Sequence, residues 1–200
     1  MRSAGAAFVA APVRPAGGLA MNLVLGFVPF ILFDVLMRLS VDMALWAAFA
    51  AAFTLGMRSF LDTRVLKTLD AGNTVLFGAL ALYKGFIQPS LPYGAVLLAV
   101  DGGLLAIVIL SLLLHEPFTL QYAREQVSPE QWEAPGFLRA NYVVTAVWTG
   151  ALLIMTIADA AALLVPVVST ADAAVTDLVA LALALTFSLR YPAYLRGAPE

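Results

Sequence analysis

The chain has 200 residues, 62% of them hydrophobic and only 12% charged, with a mean hydropathy of +0.92. That composition excludes a soluble domain, whose surface carries about twice as much charge. Eleven basic and thirteen acidic side chains leave a net charge of −2, which excludes the broad basic face that holds nucleic acid. With no cysteine and a single histidine, His115, disulfides and thiolate sites are excluded, and a metal centre would need carboxylates almost alone.

Met1 to Gly18 combine Arg2, an alanine-rich stretch, Pro12, Arg14, Pro15 and a glycine pair. The apolar part is weak and no clean small-residue cleavage site follows it, so a flexible cytoplasmic tail is expected rather than a signal peptide. Six apolar stretches come next, at residues 19–37, 41–57, 71–87, 94–114, 140–165 and 173–189. Each approaches the roughly 20 residues that cross a bilayer. None alternates with a period of two, so the spans must satisfy their backbone hydrogen bonds as helices. The expected fold class is all-α: a polytopic transmembrane helix bundle of about six spans, one domain over residues 19–190 with a tail at 191–200. The second and third stretches are short, and a five-span variant follows if one of them fails to cross.

The breaks carry their own signals. Residues 38–42 leave room only for a tight antiparallel hairpin. Gln88-Pro89-Ser90-Leu91-Pro92 ends the third helix, because proline lacks the next donor and clashes with the preceding turn; Pro166 marks the exit of the fifth. The longest connection, residues 115–139, holds Pro117, Pro129 and Pro135. Within it Ser128-Pro129-Glu130 has the pattern of an N-cap followed by proline, predicting a short surface helix, and Tyr122, Trp132 and Phe137 suit the headgroup region.

Counting lysine and arginine orients the bundle. With the N-terminus inside, Arg2, Arg14, Arg58, Arg64, Lys67, Arg124, Arg139, Arg190 and Arg196 are cytoplasmic, and only Arg38 and Lys84 face outward. This positive-inside bias places both termini in the cytoplasm. Asp34, Asp42, Asp101, Asp159, Asp172 and Asp177 then gather toward the outer side.

Ionisable residues at membrane depth are functional hypotheses by default. Asp34 precedes Arg38 by four residues and suits a helical ion pair. Lys84 either snorkels to the headgroups or pairs with Asp101. Gly102 and Gly103 permit close helix approach or local unwinding. In the fifth stretch Asn141, Thr145, Thr149, Thr156 and Asp159 share one face at 100° per residue. That stripe serves either interhelical hydrogen bonds or a polar pathway ending at a carboxylate able to carry a proton. No Walker loop, dinucleotide fingerprint, HExxH or GxSxG is present, so no enzyme and no cofactor are expected.

Phe27-Val28-Pro29-Phe30-Ile31-Leu32-Phe33 through Arg38, together with Glu116-Pro117-Phe118 through Pro135-Gly136-Phe137 to Asn141, resemble the intracellular septation protein A family of bacterial inner-membrane proteins. The order and spacing match over most of the chain from Gly26 to Arg190; His115-Glu116 replaces the usual basic residue before the proline, and the expected tryptophan comes late, as Trp148. The resemblance implies a non-enzymatic inner-membrane protein acting in cell division and envelope maintenance through protein partners. For such a protein the cytoplasmic loop, with Tyr122, Arg124 and Trp132, is the expected partner contact. The intramembrane charges support a different function, a small proton-linked or small-solute transporter or channel. The partners expected are the lipid bilayer and membrane or division proteins, with room for a homo-oligomer.

Overall fold

In a computed structural model the backbone is described for residues 17–197 and the side chains for residues 25–191. Among the described residues there are seven α-helices and no strand. They are α1 (Gly17–Leu36), α2 (Val41–Thr63), α3 (Thr68–Leu82), α4 (Tyr93–Leu113), the short α5 (Phe118–Ala123), α6 (Pro135–Leu164) and α7 (Thr170–Gly197). Four of them, α2, α4, α6 and α7, are long and apolar enough to cross a membrane. Helix α1 has 20 residues, and α3 continues without a break into a π turn at Tyr83–Ile87. Each therefore reaches about 30 Å at 1.5 Å per residue, the thickness of a hydrocarbon core. The tail expected at residues 1–18 is helical from Gly17, and its first 16 residues lie outside the described part. Helix α7 runs to Gly197, so most of the tail expected at 191–200 continues the last helix, and residues 198–200 lie outside.

The turns form where the sequence punctuates them. Ser40 caps α2, its hydroxyl accepting the Met43 N–H at 3.4 Å, as a short polar side chain does for an orphan helix donor. Arg64 ends α2 in the left-handed region (φ 57°) while its N–H still reaches the Phe60 carbonyl, a common way to stop a helix. Pro89 and Pro92 separate the π turn from α4.

Packing inverts the pattern of a soluble protein. Val167, Phe86, Leu164, Leu178 and Val75 stand outside, while Asn73, Ser111, Thr119, Asn141, Thr145, Asp159 and Ser188 are buried. Apolar side chains outward and polar ones inward suit lipid as the solvent. The centre is an aromatic cluster. Phe27, Phe30 and Phe33, one turn apart on α1, meet Phe77 of α3, Phe118 of α5 and Trp148 of α6; Phe27 stacks on Trp148 at 4.5 Å and Phe30 lies 4.9 Å from Phe77. Such ring pairs add about 0.5–1.5 kcal/mol each beyond the area they bury. Buried Pro29 takes one hydrogen bond out of α1, and on the preceding turn the Asn73 amide donates to the Gly26 carbonyl at 2.9 Å. Neighbouring helices commonly supply such bonds beside a membrane proline.

The 115–139 connection departs from the expected surface helix. Ser128-Pro129-Glu130 forms only a 3₁₀ turn, Pro129–Gln131, and the real helix, α5, lies earlier and is buried: Phe118, Thr119, Leu120, Tyr122 and Ala123 are all inside. The Ser111 hydroxyl accepts the Phe118 N–H at 3.1 Å, and Thr119 shares a 2.7 Å hydrogen bond with Thr145 of α6. Phe118 and Tyr122 are on one face at helical spacing, so this connection plugs one end of the bundle.

Candidate functional site

Three helices each bring one aspartate to a common point. Carboxylate oxygens of Asp101 (α4), Asp159 (α6) and Asp177 (α7) all lie within 4.8 Å of one another. From the nearer helix ends, Asp159 sits about 8 Å deep, Asp177 about 10 Å and Asp101 about 12 Å at 1.5 Å per residue, so the group lies inside the bundle. Asp159 is 3% exposed, and one oxygen of Asp159 and one of Asp177 have no hydrogen-bond partner. No ion pair among the described residues involves the three. Two ionised members 4.8 Å apart would repel by about 3 kcal/mol at an effective dielectric constant of 20, so the arrangement calls for a positive charge.

The group borders a cavity of about 320 Å³ lined by Phe27, Phe30, Ile31 and Asp34 of α1, Val100, Asp101 and Leu104 of α4, Trp148 and Met155 of α6, and Leu178, Leu181, Ala182 and Leu185 of α7. Asp34 faces this cavity, and no ion pair joins it to Arg38 among the described residues. Lys84 is elsewhere. Its ammonium lies 3.3 Å from Asp42 of α2 and donates to the Pro89 carbonyl at 3.1 Å, so among the described residues it pairs with Asp42 and not with Asp101. Lys84 lies in the π turn, and the residue is 8% exposed.

The polar stripe of α6 is divided among three tasks. Thr145 holds α5, its hydroxyl bonding that of Thr119, which also donates to the Asn141 backbone carbonyl at 3.0 Å; the Asn141 side-chain amide instead donates to the Phe137 carbonyl of its own helix at 2.9 Å. The Thr149 and Thr156 hydroxyls donate back to the carbonyls of Thr145 and Leu152 in their own helix. Of the stripe, Asp159 alone joins the carboxylate group. Gly103 packs against Leu76 of α3, and α4 runs unbroken through Gly102 and Gly103.

Asp177 belongs to this site although its sequence context offers little chemistry. The signal was in helix periodicity: buried Ala173, Ala180, Ala184 and Ser188 recur on one face of α7 at the i, i+3, i+4 spacing, and Asp177 falls in that row. A carboxylate in a row of small residues points at the neighbouring helix.

At the opposite end, a second cavity of about 280 Å³ is lined by residues that include Gly26, Arg58, Ser59, Lys67, Asp70, Tyr122 and Glu125. The Tyr122 hydroxyl donates to Asp70 at 2.5 Å, Lys67 pairs with Glu125 at 2.6 Å, and the Lys67 ammonium lies 4.4 Å from the centre of the Tyr122 ring. Burial, then the charge and hydrogen bond of Asp70, push the Tyr122 phenol well above its ordinary range. Tyr122 is 2% exposed, which removes it as a partner contact and from the headgroup region. Arg124 binds Glu116 at 2.8 Å and Trp132 donates to the Arg124 carbonyl at 3.2 Å. Trp132 remains outside, 36% exposed. The two cavities share α1: Leu25 and Gly26 line one, Phe27 and Phe30 the other.

Comparison with protein-family models, curated proteins and solved structures found no match.

Proposed function

We propose that this chain is a multi-pass carrier of the bacterial inner membrane, with six spans and both termini inside, that couples proton movement to transport of a small solute. The observation that carries this is the unpartnered oxygen of Asp159, buried where Asp101 and Asp177 converge beside a cavity. A carboxylate group without a basic partner needs a cation. A divalent cation would need several of these oxygens at once together with water or carbonyl oxygens, whereas a proton needs only one. Carboxylates facing the interior of a helix bundle are usual elements of proton relays in membrane proteins.

The two cavities supply the geometry of alternating access. In the positive-inside orientation the acidic one would lie toward the outer side and the Tyr122 cavity toward the cytoplasm, with the rings of Phe27, Phe118 and Trp148 near the middle of the bundle. Protonation of the carboxylates would relieve their repulsion and let α4, α6 and α7 close on each other, shifting the equilibrium between the two openings. The likeness to septation protein A supplies a cellular setting, envelope maintenance, in which exposed Trp132 would meet a protein partner.

Proton uptake by proteoliposomes containing a trapped pH-sensitive dye tests the carrier function. Asp159→Asn keeps the volume and removes the titratable group, and it should slow uptake at least tenfold while the protein stays monodisperse. Equal rates for Asp159→Asn and the native chain would rule out the carboxylates as the proton path.

A further inference from the structure

The cavity beside the carboxylates has features that the proton path does not use. Its volume of about 320 Å³ is in the range that holds a small organic ligand. Most of its wall is apolar, with the stacked rings of Phe27 and Trp148 among the lining residues. Its charged side chains are Asp34 and Asp101, and no basic residue lines it.

The cavity is also reached sideways. Helix α1 packs chiefly on α2 and also on α3 and α5, while the extensive contact of α7 is with α6. Among the described residues no extensive contact joins α1 to α7. Ile31 and Leu178, which line the cavity from its two sides, are 53% and 70% exposed. A ligand dissolved in the bilayer could enter there without crossing water.

We infer that this cavity binds a lipophilic organic cation, an aromatic or branched alkyl body bearing a quaternary or protonated nitrogen, which enters from the bilayer between α1 and α7. The apolar body displaces lipid from the walls, the nitrogen is held between Asp34 and Asp101, and the faces of Phe27 and Trp148 add cation–π attraction, which strengthens when the cation is desolvated. A neutral molecule of the same shape would gain the packing and lose the charge term. The inference rests on the carrier function insofar as Asp101 serves both the cargo and the proton, so that each would displace the other.

The probe is benzyltrimethylammonium, which has a fixed charge, compared with its neutral isostere neopentylbenzene. Binding of each to the full chain in phosphatidylcholine nanodiscs is measured calorimetrically, with empty nanodiscs subtracted. The cation should bind at least tenfold more tightly than the isostere, and Asp34→Asn and Asp101→Asn should each weaken it tenfold or more. Ile31→Trp, which adds bulk between α1 and α7, should slow association. Equal affinity for cation and isostere would overturn the inference and mark the cavity as a slot for lipid chains; so would a cation affinity unchanged in both asparagine variants. The isostere comparison uses the native chain, so it decides even where a variant fails to fold. Failure of cation binding with proton uptake still dependent on Asp159 removes this inference alone. Cation binding with uptake indifferent to Asp159 removes the proton coupling alone.

Discussion

Helices α3 and α4 interlock through a reciprocal pair of glycines, and this predicts a measurable rescue. On α3, Gly72 and Leu76 are one turn apart; on α4, Gly103 and Ile107 are too. Because the helices run antiparallel, Ile107 fills the space over Gly72 and Leu76 the space over Gly103. A methyl added at Gly103 would lie 2.3, 3.0 and 3.2 Å from three carbons of Leu76, and one at Gly72 would lie 2.7 to 2.8 Å from three carbons of Ile107. Normal carbon contacts are about 3.5–4.0 Å, so Gly103→Ala must move the whole leucine or separate the helices. Overpacking of this kind costs about 1–3 kcal/mol. Leu76→Ala alone leaves a gap at a half-buried position and should cost less than the roughly 2–5 kcal/mol of a fully buried leucine. Together the two changes exchange a glycine–leucine contact for an alanine–alanine contact, and the double variant should be more stable than the sum of the single costs by about 1–3 kcal/mol, within the range of coupling between touching residues. Reversible unfolding in mixed micelles, followed by circular dichroism against detergent composition, measures all four corners of the cycle. Additive costs would refute the interlock. The cycle also bears on function, because Asp101 precedes Gly103 by two residues and a displaced α4 would draw it from the carboxylate group. Gly103→Ala should therefore slow proton uptake, and Leu76→Ala should restore part of it.

Tyr122→Phe removes the hydrogen bond to Asp70, a change expected to destabilise the chain by about 1.5–3 kcal/mol if Asp70 is charged, readable in the same unfolding assay. Since the Tyr122 phenol titrates well above its ordinary value of 10.0 when folded, the folded state holds that proton more tightly. The associated stability should be intact below about pH 10 and decline as pH rises above it, a decline that Tyr122→Phe should lessen. Lys84→Met should leave proton uptake at the native rate, because Lys84 serves Asp42 and the Pro89 carbonyl; a tenfold loss would place Lys84 in the proton path. Ser188→Ala removes the acceptor of the Trp148 indole N–H and should cost about 1 kcal/mol or less, as interhelical hydrogen bonds in membranes do, with a shift in tryptophan emission as the observable.

Much of the architecture was legible in the chain itself. Helix is the one way an unpaired 20-residue apolar segment can satisfy its backbone in lipid, so Leu, Val and Ala runs broken by Pro89, Pro92 and Pro166 announce their elements without reference to neighbours. The burial of α5 was not legible. Pro117 and the aromatic residues after it suit an interfacial segment equally well, and only the fit of Phe118 against Phe27 and Trp148 draws that turn inside.

The site divided along the same line. That Asp34, Asp101 and Asp159 are costly in a membrane follows from residue type and depth alone. Which of them meet does not, because periodicity reports the face of a helix and not the identity of the helix opposite. Packing of α6 between α4 and α7 brought Asp101, Asp159 and Asp177 together, and Lys84 pairs with Asp42 instead. Composition and hydropathy thus determined a helical membrane chain with charges it must shelter. The tertiary contacts alone decided that three of those carboxyl groups share one point with no ion-pair partner among the described residues, since convergence depends on helix pairing and rotation that no single segment encodes.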